Sequence, residues 1–442
     1  MTKQFSMRNL IAIALMLFSL FFGAGNLIFP PMVGKLAGTS LLPAMLFFAI
    51  TAVILPVLGM MAVAKTKGLT NLGNRVGNTF SLVFIILVYM SIGPFLAIPR
   101  AGSVPFEMAI APYLPDSFSR PLALAIYTVV FFAFACAISV MNSKSVEKIM
   151  GDILTPVLLA MLILLFAASL FKNMPAYGMP IGEYALNPLS KAFIDGYLTM
   201  DTLAALNFGL VISVAIEAYG ITDEKKALGI NIKISLLAGI ILFLIYLMLA
   251  DIGAKSAALF PDTTNGAQIL VLVSNYLFGK FGAIILALIF TLACLTTCVG
   301  LLASISRYFS TLVPSISYRK WVVLWTLISL LLANKGLDGI LKYNIPVLTA
   351  LYPVSIVLIV LALSEKIAGK SPLMYRCTVY VTAFISAVNA LEQFGLTIPF
   401  ISYLVQKLPL YAAGLSWVIP ALIVFAITCC IGKITGEPYE QK

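Results

Sequence analysis

The sequence predicts an all-α integral membrane protein with about twelve transmembrane helices, and three observations carry that prediction. Of 442 residues, 61% are hydrophobic and only 10% are charged, with a mean hydropathy of +1.06; soluble domains are roughly 45–50% apolar and about 25% charged. A chain this apolar cannot keep its surface wet, so its natural solvent is lipid. Apolar stretches close to the roughly 20 residues that a spanning helix requires recur from end to end. Few of these stretches alternate in the manner of a membrane β-strand, and only helices and closed barrels satisfy their backbone in lipid.

Taken in order, the spans fall near 9–34, 41–63, 79–99, 121–141, 149–171, 199–221, 230–251, 281–306, 321–334, 339–363, 374–391 and 411–432. The ninth is short and the eleventh is polar in places. The beginning also resembles a signal peptide: Lys3 and Arg8, an apolar run to Phe22, then small residues at Gly23–Gly25. Apolar sequence resumes at once with Leu27–Phe29, which favours the first half of a span. Segments 172–198 and 252–280 read as outer loops, the second with a cluster of turn formers at Pro261–Gly266. No stretch has the composition of a soluble domain, so residues 1–442 read as one membrane domain.

The net charge of +11 invites a nucleic-acid reading that its distribution opposes. With the N-terminus inside, 18 of the 28 Lys and Arg residues fall on inner segments, Lys3, Lys65, Arg75, Lys144, Lys233, Arg319 and Lys366 among them. Basic residues concentrated on one side orient the chain with both ends cytoplasmic. The charge therefore reads as topology, with no nucleic-acid partner. There is no histidine, which removes the commonest metal ligand and acid–base group. The six cysteines, Cys136, Cys294, Cys298, Cys377, Cys429 and Cys430, lie in or near apolar spans and read as small packing residues.

Two spans, five apart, are interrupted. The first carries Phe22-Gly23-Ala24-Gly25-Asn26 in mid-span and Pro30-Pro31 near its outer end; the sixth carries Asn207-Phe208-Gly209. An opened turn at bilayer depth costs several kcal/mol per unsatisfied group unless protein or a water-filled cavity lines it. Paired breaks in matching spans of two halves point to the substrate site of an inverted-repeat transporter, although glycines also serve close helix packing. The turn at Gly23–Asn26 exposes amides at the start of a half-helix, an arrangement that suits a carboxylate. Carbonyls freed on the preceding half-helix suit an ammonium group or a sodium ion. In the eighth span, Thr296 and Thr297 are either oxygen donors for a hard cation or hydroxyls each bonded to its own i−4 carbonyl.

The run Phe22-Gly23-Ala24-Gly25-Asn26-Leu27-Ile28-Phe29-Pro30-Pro31 resembles the signature of the bacterial branched-chain amino acid:cation symporters. The resemblance extends over nearly the whole chain in length, span number, loop pattern and the Thr pair. It implies a leucine-transporter-like fold: two inverted five-helix repeats, here about 8–171 and 199–363, plus two extra helices at about 374–432. It implies import of leucine, isoleucine and valine with sodium and no other cofactor, across the bacterial cell membrane. The substrate would rest on Gly23, Ala24, Gly25, Asn26, Asn207, Phe208 and Gly209. One sodium would lie among the carbonyls of Ser19, Phe22 and Ala293 and the hydroxyls of Thr296 and Thr297. A second sodium in some relatives uses the residue matching Asn26 and a hydroxyl of the sixth span, where this chain has Ala204-Ala205; Asn26 is then left to brace the turn.

Glu217 reads as the one acid clearly inside a span, a coupling or gate residue with Arg8 as its candidate partner, or else a structural acid. An apolar pocket for a branched side chain draws on Phe208 and Tyr89–Phe95. Such a pocket separates one methylene by only about 1–3 kcal/mol, so leucine, isoleucine and valine should all be accepted. An intramembrane enzyme needs a nucleophile with a base, or clustered acids, and a chain with no histidine and one deep carboxylate supplies neither. A scaffold leaves the paired breaks as unexplained costs, and a channel predicts flux without accumulation against a gradient. Proton coupling, exchange, and a different small neutral amino acid remain open within the transporter class.

Overall fold

The computed structural model describes residues 5–115, 117–141, 149–221, 223–369 and 371–435; Lys3 and Lys144 of the charge argument lie outside them. The described chain is helical: α1 (Met7–Phe21), α2 (Ala24–Ala37), α3 (Leu41–Ala49), α4 (Leu55–Thr66), α5 (Leu69–Asn74), α6 (Asn78–Met90), α7 (Ala97–Ala109), α8 (Arg120–Ser139), α9 (Thr155–Phe171), α10 (Glu183–Leu186) and α11 (Pro188–Asp195). There follow α12 (Asp201–Glu217), α13 (Glu224–Ser256), α14 (Gly266–Phe278), α15 (Lys280–Leu312), α16 (Tyr318–Ala333), α17 (Leu337–Ala368), α18 (Pro372–Gln393), α19 (Pro399–Gln406) and α20 (Val418–Thr435). Among the described residues seven helices, or continuous runs of them, are long and apolar enough to cross a membrane; a bent pair, Pro188–Thr199 with Asp201–Glu217, makes an eighth.

The expected spans fall mostly on helix, and the first three are each interrupted. The first is two helices, α1 and α2, of 15 and 14 residues. The second holds a π-turn at Ile50–Ile54 between α3 and α4. The third continues well beyond residue 99, because a π-turn at Ser91–Phe95, with Gly93 at φ −100°, ψ −128°, joins α6 to α7. Gly93-Pro94 is the local cause, since proline removes a backbone donor and crowds the preceding turn. The stretch expected to supply pocket aromatics is therefore itself a break, and Phe95 is half exposed. The segment 252–280, expected as an outer loop, is also more ordered than its turn formers suggest. The Asn265 side chain accepts from the Gln268 amide at 2.9 Å and so caps α14, which packs on α2.

The chain forms two compact units: Met1–Val53, Met90–Asp201 and Lys233–Lys342 in the first, Ile54–Tyr89, Thr202–Ile232 and Tyr343–Lys442 in the second. In the first, α15 is the central element, packed against α1, α7, α8, α14 and α16. In the second, α4 meets α12 through Gly59 and Gly209; a Cβ on Gly209 would lie 2.7 Å from a methyl of Val63. This unit also buries Glu365 near the C-terminal end of α17. Its carboxylate is ion-paired with Lys65 at 3.2 Å and with Arg75, and accepts from the Tyr375 hydroxyl at 2.8 Å.

Candidate functional site

The first unit gathers its polar chemistry at the gap between α1 and α2. Helix α1 stops because Phe22 turns to ψ 90°. Gly23 is extended at φ −123°, ψ −157°, and α2 begins at Ala24. The first amides of a helix have no acceptor within it. One side chain answers locally: Asn26 Oδ1 accepts from the Gly23 N–H at 3.0 Å. Asn26, expected near substrate or as a brace, is thus seen bracing the turn, and it is 1% exposed. Phe18 and Phe22 stack at 5.0 Å between ring centres, and Tyr246 of α13 lies 6.5 Å beyond Phe22, so the opened turn is held by aromatic packing.

The other face of Asn26 carries the main surprise. Its Nδ2 donates to Asp201 Oδ1 at 3.0 Å and Oδ2 at 2.8 Å, and to the Tyr246 hydroxyl. That hydroxyl in turn donates to Asp201 Oδ2 at 2.6 Å. Asp201 is 1% exposed. The sequence reading passes over Asp201, at the edge of the expected span 199–221, and so misses a deeply buried carboxylate of this unit. The sixth-span break lies here too. Met200 adopts left-handed φ 71° between the 3₁₀ turn Gly196–Thr199 and α12. Asn207, Phe208 and Gly209 sit in the regular part of α12, so the expected break is displaced to Met200. The glycine that suggested it serves packing against Val63 instead.

Arg100 is the second residue the sequence reading passed over. It stands in the first turn of α7, is 3% exposed, and donates from Nη1 to the Leu198 carbonyl at 3.0 Å. Its guanidinium also lies over the Phe29 ring, 5.8 Å from the centroid. A Cβ on Gly25 would lie 2.7 Å from Arg100 Nη2 and 3.1 Å from the Leu198 carbonyl oxygen. The signal that could have found Arg100 is Gly93-Pro94, which prolongs the third span and carries this arginine inward.

The five residues expected around a cation divide as follows. The hydroxyls of Thr296 and Thr297 both reach the Ser19 carbonyl at 3.3 Å, and Thr296 also reaches the carbonyls of Leu292 and Ala293 at 3.0 Å. The Thr296 hydroxyl bonds its own helix and also faces α1. A Cβ on Gly23 would lie 2.9 Å from Thr297 Oγ1, so this oxygen group adjoins the gap. Phe22 is brought to the same gap, with its N–H donated to the Phe18 carbonyl at 2.8 Å. Glu217 and Arg8 are different. Glu217 is the last residue of α12 and is exposed, and Arg8 is exposed in the first turn of α1; neither has the buried setting expected of an acid within a span.

Known proteins similar to this chain agree with one another. The profile of the family described as "Branched-chain amino acid transport protein" matches residues 6–435. The branched-chain amino acid permease BrnQ of Bacillus subtilis (strain 168) is 39% identical over 425 residues, 96% of each chain. The permease BraB of the same organism is 37% identical over 438 residues, 98% of each chain. Among solved structures, Mhp1, a nucleobase-cation-symport-1 family transporter in a closed conformation with bromovinylhydantoin bound, superposes with a TM-score of 0.64 at 11% identity, over 98% of this chain and 94% of its own. That likeness places the fold in the leucine-transporter-like class.

Proposed function

Because this chain belongs to the branched-chain amino acid transport protein family, we propose that it is a sodium-driven symporter that imports leucine, isoleucine and valine. It is a multi-pass membrane transporter and not an enzyme. The substrate class comes from the family. The observation that carries the sodium reading is the meeting of Thr296 and Thr297 with the Ser19 carbonyl, beside the gap between α1 and α2. Carbonyl and hydroxyl oxygens are the donors a hard cation takes. Ser19, Ala293, Thr296 and Thr297 would contribute them, with Phe22 at the edge of the same gap.

The amides of Ala24 and Gly25 supply the positive end of a half-helix for the substrate carboxylate. Placing a cation and a carboxylate on the two sides of one gap ties occupancy by one to occupancy by the other, which is the requirement for symport. The inner excess of Lys and Arg supports cytoplasmic termini. Asp201, a buried carboxylate in the same network, favours one second reading, in which a proton replaces sodium.

Uptake of labelled leucine into liposomes bearing the purified protein tests both. Accumulation driven by an imposed sodium gradient, competed by isoleucine and valine and weakly by alanine, is the expected result. Accumulation driven by a proton gradient without sodium selects the second reading. Equal uptake with no cation gradient overturns symport.

A further inference from the structure

The second unit carries an apolar groove where α18, α19 and α20 meet. Tyr380, Val381 and Phe384 of α18, Leu404 of α19, Leu408 just beyond it and Pro420 of α20 line a volume of about 430 Å³. Tyr380, Phe384 and Leu404 are each about half exposed, so the groove opens onto the surface. None of these residues belongs to the candidate transport site.

Helix α19 indicates what the groove opens onto. It buries Ser402 and Val405 and leaves Phe400, Tyr403 and Leu404 exposed. Three large apolar side chains shown to water by eight residues are costly; at a bilayer surface the same face is buried in lipid. Lys407 follows the helix directly, with its ammonium 5.4 Å from the centroid of the Tyr403 ring. Tyrosine rings settle at headgroup level, and lysines reach for it along their apolar stems. The Glu392 carboxylate is engaged by Gln406 and by the Tyr411 hydroxyl. Lys407 enters none of the ion pairs among the described residues.

Lipid tails are as apolar as leucine, so filling this groove from the bilayer brings no hydrophobic gain. The gain is in contact, since an unfilled groove leaves its lining without partner atoms. One hydrocarbon chain supplies those atoms. A helix of a second copy, about 10–12 Å across with its side chains, would lie over the groove and leave it unfilled. Contact alone does not distinguish one lipid from another, whereas a cation at the rim does. We propose that the groove holds one acyl chain of an anionic phospholipid, with the phosphate on Lys407. The site requires that the chain spans a membrane, and it is independent of what the chain carries.

The test uses the purified full-length protein in vesicles that contain phosphatidylglycerol and phosphatidylcholine in equal amounts. One lipid at a time bears a photoactivatable group in its acyl chain, and labelled peptides are mapped. Phosphatidylglycerol should label residues 380–385 and 404–408 about fivefold more than phosphatidylcholine, the worth of one basic side chain towards an anionic lipid. Lys407→Gln should bring the two lipids level, and Lys407→Arg should keep the preference. Val381→Trp fills the groove and should abolish labelling there by both lipids, with labelling elsewhere unchanged. Should that variant fold poorly, the exposed Lys407 variants decide. Equal labelling by the two lipids in the wild type, or a preference that survives Lys407→Gln, would overturn the proposal. So would a second copy of the chain cross-linked over α18 and α20 in place of lipid.

Discussion

Asp201 and Glu365 are both carboxylates buried in helices of an apolar protein, and they are stabilised in opposite ways. Glu365, in the second unit, is closed in by Lys65, Arg75 and the Tyr375 hydroxyl. Two cations on one acid leave no negative charge for anything else. Asp201, in the first unit, accepts from the neutral Asn26 amide and Tyr246 hydroxyl, with the Thr199 hydroxyl and the Arg100 charge also acting on it. The difference lies in their partners and not in burial, since both are nearly inaccessible. Breaking a buried ion pair from one side is costly chiefly because of the charge left behind.

Neutralising each acid separates the two. Glu365→Gln should destabilise the protein by about 3–5 kcal/mol, because two cations are then left facing an amide; thermal unfolding of the purified protein would show it. Asp201→Asn keeps hydrogen-bond partners for Tyr246 and should lower the unfolding midpoint much less. Equal losses would mean that Asp201 is structural as well.

A second contrast sets the two glycine-containing stretches against each other. Gly25→Ala pushes a methyl against a guanidinium and a backbone carbonyl, and leucine uptake should fall by about a hundredfold or more, since close backbone approach there admits only glycine. Gly209→Ala meets only the Val63 side chain, which can turn aside, so uptake should fall less than about threefold, at a cost in stability typical of overpacking. Comparable losses in uptake would restore residues 207–209 to the substrate site.

Thr297→Ala removes one oxygen of the candidate cation site, and should raise the sodium concentration for half-maximal uptake by about tenfold with little change in maximal rate, a hydrogen-bond-sized effect on ion binding. An unchanged requirement would remove Thr297 from that site. The smallest effect belongs to Glu217→Gln. An exposed carboxylate at a helix end contributes little, so uptake and its pH profile should stay within about twofold of wild type. Loss of coupling with binding intact would show that Glu217 takes part in the cycle.

The helical membrane architecture was legible because it follows from a bulk property, runs of apolar residues. The break at Gly23–Asn26 was legible because two glycines and an amide interrupt the apolar run and Pro30-Pro31 follow, a stronger mark than the single glycine of Asn207–Gly209. The Thr pair needed the family resemblance, since its spacing alone fits bonds to its own helix, and Thr296 does make such bonds. Asp201 and Arg100 were not legible for a different reason. Each lies at the edge of an apolar run, where hydropathy assigns charged residues to loops. Their burial depends on the chain turning at Met200 and breaking at Gly93. A left-handed methionine carries no composition signal, and the Gly-Pro pair was hidden inside a stretch that otherwise reads as a smooth span.

Asn26 gives the gap a chemical polarity that no other common side chain of its size supplies. The Gly23 amide needs an acceptor, and the Asp201 carboxylate needs a donor. A carboxamide presents one on each side, so it inverts the sign of the hydrogen bond as it passes from backbone to acid. Aspartate, its isostere, would set acceptor against acceptor and add a second negative charge. Glutamine keeps the order but is one methylene longer than the gap it would have to bridge. The same handedness means that the acid and the opened turn share one side chain, and a shift in either is felt by the other as a rotation of a single amide plane.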